Sequence, residues 1–134
     1  VAGLIYAFVM DSDSLAAAGL LAALSRASGI LAELHHPFVR SAPFAAFLPP
    51  AGARTGVAFT LPDGREVTVA VSIAASGNAL HLDGEITLEG EPLLELPRRS
   101  AAELHDALAV LDEYAADVAQ PTGRLLDQLL DEIV

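Results

Sequence analysis

The stretch TGVAFTLPDGREVTVAVSIA, residues 55–74, decides the fold class. Val57, Phe59 and Leu61 alternate with small or polar residues before Pro62-Asp63-Gly64, and Val67, Val69, Val71 and Ile73 alternate after it. A period of two is the signature of half-buried strands. Pro-Asp-Gly suits a type I turn closed by a glycine bulge. Pairing Leu61 with Arg65 places Phe59 opposite Val67 and Val57 opposite Val69, so both apolar sets share one face.

Ser76-Gly77-Asn78 turns the chain again, and Leu80, Leu82, Ile86 and Leu88 alternate through Asp83-Gly84. This predicts one long strand, or a hairpin with a three-residue loop. A two-residue Asp-Gly turn would set Leu82 opposite Glu85 and lose the common face. The second face of this meander carries Ala58, Thr60, Thr68, Ala70 and Ser72, then His81, Asp83 and Glu85. Small residues there admit a helix, a second copy of the chain or a ligand.

Upstream, LIYAFVM at 4–10 reads as a buried strand, and Asp11, Ser12 and Ser14 offer N-caps for a helix of about twenty residues. Its stripe is Leu20, Leu24, Ala27, Leu31 and Leu34, and Pro37 ends it. Residues 37–53 hold four prolines among Phe38, Phe44 and Phe47 and read as an irregular loop, its phenylalanines pinned in the core or forming a docking patch. Downstream, Ser100 to Glu103 forms a capping box for a helix to about 119, with Leu104, Leu108, Leu111, Ala115 and Val118 buried. Pro121 and Thr122 break the chain before a last short helix carrying Leu125, Leu126, Leu129, Leu130 and Ile133. The expectation is one α+β domain over 1–134: an antiparallel β-meander of three to four strands packed against a long N-terminal helix and two C-terminal helices.

Composition narrows the chemistry. The 134 residues are 53% hydrophobic and include no cysteine, which removes disulfides and thiolate chemistry. All seven basic residues are arginine, so neither a Schiff-base nor a phosphate-loop lysine exists. A net charge of −11 argues against nucleic acid. Residues 100–134 hold eight carboxylates against Arg124, a field that favours solubility or a basic protein partner. The opening VAGLIYAFVM is too short to span a bilayer and lacks the flanks of a whole signal peptide. With Val1 in place of an initiator methionine, further residues can precede it. No membrane association and a cytoplasmic location are expected.

Glu33 and His36 in AELHHPFVR stand three apart, the spacing by which one helix face offers a metal two ligands. AELHDAL at 102–108 repeats the start with Glu103, His105 and Asp106. Most of these residues point away from the predicted stripes, so neither metal nor cofactor is expected. The pairs His35-His36 and His105-Asp106 resemble the metal-ligand pairs of the helical HD phosphohydrolases, but a β-meander between the pairs sets this chain apart from that family. Asp106, Glu113 and Asp117 share one helical stripe and Asp127 and Asp131 another, a candidate surface for a basic partner.

In order of elements and acidity the chain is similar to small bacterial chaperone-like adaptors and toxin-neutralising immunity proteins. That likeness implies a non-catalytic module that binds a protein partner, with a homodimer as a further expectation. The rival is a small enzyme or ligand-binding domain with a pocket between sheet and helices, metal-dependent or not. Its lining would be Phe38, Phe44, Phe47, His81 and His105, with Asp83 or Glu103 completing an acid–base pair.

Overall fold

The structure, a computed structural model, describes residues 25–48, 52–76 and 78–133. A short helix, α1 (25–32), leads into six strands and one long helix. The strands are β1 (Arg40–Leu48), β2 (Gly52–Thr60), β3 (Glu66–Ser76), β4 (Ala79–Leu88), β5 (Glu91–Glu95) and β6 (Arg99–Ala101), and the long helix is α2 (Leu104–Ile133). All strand pairings are antiparallel, in the order β1-β2-β3-β4-β5, with β6 also on β4. Among the described residues no helix is long and apolar enough to cross a membrane.

The hairpin at the centre follows its local chemistry. Leu61 N–H donates to the Arg65 carbonyl at 2.8 Å, Gly64 takes a φ of 91°, and Phe59 pairs with Val67 and Val57 with Val69. β4 runs unbroken through Asp83-Gly84. Val57, Phe59, Val67, Val69, Val71, Ile73, Leu82 and Ile86 then lie on one face, each no more than 2% exposed. α2 covers that face over β3, β4 and β6 with Ala107, Leu111, Tyr114, Ala115 and Val118.

The expected meander of three to four strands between three helices is corrected in both layers. The sheet has six strands, and the described residues hold one long C-terminal helix and one short helix. Residues 40–48 are a strand and not a loop, although they contain Pro43. Among the described strands β1 is an edge, where a proline forfeits no central ladder bond. β5 and β6 are the other additions: at the start of β5, Glu89 and Gly90, with φ of 52° and 85°, form a two-residue hairpin with both central residues left-handed. Glutamate is an unusual occupant of that position, and its carboxylate accepts the Glu66 N–H at 2.8 Å.

Pro121 lies inside α2 and not between two helices. An interior proline costs about 3 kcal/mol. The buried stripe continues through it at helical spacing, from Tyr114 and Val118 to Thr122, Leu126 and Leu129. Two buried leucines contribute about 1.5–3 kcal/mol each, enough to offset the defect. The expected capping box is also absent: Ser100 belongs to β6, and the Glu103 carbonyl accepts the first helical bond, from Ala107. Of the predicted N-terminal helix, Ala27 and Leu31 are buried as expected, and the helix ends at 32, ahead of Pro37. Its earlier turns, the caps at Asp11, Ser12 and Ser14, and the strand expected at 4–10 lie outside the described residues.

Candidate binding face

The sheet register that buries Val57, Val69 and Ile86 turns Gly56, Ala58, Thr68, Ala70, Ser72, Asp83 and Glu85 to the opposite side. No described element packs there. Gly56 is obligatory on this open face: a Cβ would collide with the Val69 carbonyl oxygen and stand 2.9 Å from the Phe44 ring. Phe44 is the register partner of Gly56 on β1, so its ring lies over the bare backbone. The Arg54 guanidinium stands 5.8 Å from the ring centroid, within cation–π range, and its Nη2 donates to Glu85 Oε1 at 3.2 Å. That bond crosses β3, whose small residues Ala70 and Ser72 leave the space.

The outer edge of β4 is divided. β5 pairs with Glu85–Leu88 and β6 with Leu80–Leu82, and the link through Pro97 passes the break at Asp83-Gly84. A cleft of about 730 Å³ opens at this break, lined by Arg54, Ser72, Glu85, Glu95, Leu96 and Arg98, among others. Arg98 grips Asp83 through Nε at 3.1 Å and Nη2 at 3.4 Å, and this bond and charge raise the guanidinium pKa. Behind the rim, Leu96 N–H donates to the Gly84 carbonyl at 2.8 Å. Tyr114 of α2 donates its hydroxyl hydrogen to the Pro97 carbonyl, and burial pushes its phenol pKa up. The core-side tyrosine therefore anchors the link that carries Arg98.

The residues singled out from the sequence are dispersed. Asp127 bonds His36 Nε2 at 2.7 Å, joining two candidates from separate expectations. His36 Nδ1 accepts the Phe38 N–H at 3.2 Å, so Nε2–H is the donor to Asp127 and both ring nitrogens are engaged. His36 lies beyond the helix end, so the helical Glu33–His36 spacing is not realised; Glu33 is exposed, and its carbonyl accepts from His35 Nδ1 at 2.9 Å. Glu113 pairs with Arg99, while exposed Asp117 and Asp131 make no ion pair among the described residues. Glu103, His105 and Asp106 cluster at the exposed start of α2, with each His105 nitrogen 3.3 Å from a carboxylate oxygen.

Phe44 and Phe47 are three residues apart on one strand and so face opposite sides of the sheet. Phe47 is 59% exposed, and Phe38, 76% exposed, borders a separate hollow beside Arg40 and Pro62. His81 Nδ1 bonds the Ser100 hydroxyl at 3.0 Å; neither His81 nor His105 lines the cleft. Arg54, Glu95 and Arg98 were not anticipated. Arg54 could have been found by extending the β2 alternation back from Ala58 through Gly56. Glu95 and Arg98 depend on the β5–β6 break, which no local pattern announces.

No family model, curated protein or solved structure matches the chain.

Proposed function

We propose that this chain is a small non-catalytic binding module that engages a protein partner on the open sheet face. One observation carries the reading. The layer between sheet and helix is filled, with Phe59, Val69, Ile86, Tyr114 and Ala115 at most 2% exposed, while the 730 Å³ cleft lies on the other side. Among the described residues, that filled layer holds no room for the pocket between sheet and helices on which the enzyme alternative rests. The net charge of −11 favours a protein over nucleic acid as the partner. On the helix, Asp106, Glu113 and Asp127 are engaged by His105, Arg99 and His36, and exposed Asp117 and Asp131 line neither the cleft nor the hollow beside Phe38.

A photocrosslinkable residue placed at Thr68 on the open face, or at Asp117 on the helix, tests this in cells making the protein. A discrete adduct is expected from Thr68, absent from Asp117, and lost when Ser72→Arg is added beside Thr68. Adducts from Asp117 instead, or from neither position, overturn the reading.

A further inference from the structure

We propose that the cleft at the β5–β6 break receives a cationic side chain, arginine or lysine, of that partner; this rests on the open face being the interface. The sheet register sets Glu95 directly opposite Glu85. Like charges in that relation destabilise a sheet. The two arginines of the cleft do not settle the imbalance. Arg54 is held by Glu85 and Arg98 by Asp83, so Glu95 has no cation partner among the described residues. The lining therefore presents three carboxylates against two guanidiniums, with one carboxylate free to accept.

The shape favours an organic cation over a bare ion. Among the described residues the one group of three His or carboxylate ligands within 4.8 Å is Glu103, His105 and Asp106, so the cleft carboxylates do not converge as a metal shell requires. The 730 Å³ volume is far larger than an ion needs, and Leu96 and Pro97 offer apolar surface to an alkyl stem. A guanidinium or ammonium entering between Glu95 and Glu85 would separate the opposed carboxylates and bond both.

The test follows the backbone amides of Ser72, Asp83, Gly84 and Glu95 by NMR in the 15N-labelled protein. Nα-acetylarginine amide is the probe and Nα-acetylcitrulline amide its neutral isostere. Saturable shifts are expected with the first and none with the second. Glu95→Gln should weaken binding at least about tenfold, the size of one charge-assisted hydrogen bond, while Glu95→Asp retains it. Equal shifts from both compounds, undiminished shifts in Glu95→Gln, displacement by equimolar calcium, or no shifts at all would each overturn the inference. Crosslinks from Thr68 without arginine shifts would leave the interface and remove the cation site; arginine shifts without crosslinks would do the reverse.

Discussion

Arg54 and Glu85 stand two strands apart, and their side chains meet at 3.2 Å across β3. The contact is possible because β3 presents Ala70 and Ser72 beneath it. It gives the open face a built charge pattern, with Phe44 under one end and Glu95 beyond the other.

Arg54→Met is expected to lower stability by about 1–2 kcal/mol in urea denaturation. Both side chains are about one-third exposed, so the ion pair itself contributes no more than about 1 kcal/mol. The rest comes from the lost cation–π contact and from Glu85 left facing Glu95 alone. Adding Glu85→Gln should restore about half of the loss. A neutral single variant would show that the pair holds nothing in place.

Two glycines should respond in opposite directions. Gly56→Ala drives a methyl group into the Val69 carbonyl, a backbone atom that cannot swing aside, and should cost more than about 3 kcal/mol or prevent folding. Gly29→Ala meets nothing within 4 Å and lies in α1, so a gain of about 0.5–1 kcal/mol is expected. Thermal melts of the two variants decide the matter.

Tyr114→Phe removes the hydroxyl that holds the Pro97 carbonyl and should cost about 1–2 kcal/mol at neutral pH. The wild-type effect is pH-dependent. Burial raises the folded phenol pKa above its ordinary value of 10.0, so the fold holds a proton that the unfolded chain releases first. This contribution is full below about pH 10 and is lost as pH rises through the higher folded value. Between pH 9 and 11.5, wild type should lose more stability than Tyr114→Phe; parallel curves would exclude the linkage.

Pro121→Ala should stabilise the protein by about 2 kcal/mol. It restores an N–H for the Asp117 carbonyl and relieves the ring clash, a gain of about 3 kcal/mol less the unfolded-state entropy that proline had removed. Loss of stability would mean that the half-buried ring contributes packing that the methyl cannot replace.

The features legible in the chain were short-range. The Leu61–Arg65 hairpin and its register were legible because turn chemistry and alternation act over ten residues and agree with one another. The small-residue face followed from the same alternation, as did burial of Ala27, Leu31, Leu111, Ala115 and Val118. The remaining features depend on contacts between distant segments. Pro43 reads as a strand breaker until β1 is known to be an edge, and edge position is set by what the other strands pair with. Pro121 reads as a helix end until Leu126 and Leu129 find the same buried layer as Val118. Ser100 reads as a cap until β6 pairs with β4 and gives its hydroxyl to His81. The cleft belongs to this second group: Arg54, Glu85, Glu95 and Arg98 come from separate segments, and only the pairing of β5 and β6 along one edge of β4 brings them together. Local preferences of a few kcal/mol or less yield wherever burial or pairing with a distant segment stabilises the chain by more.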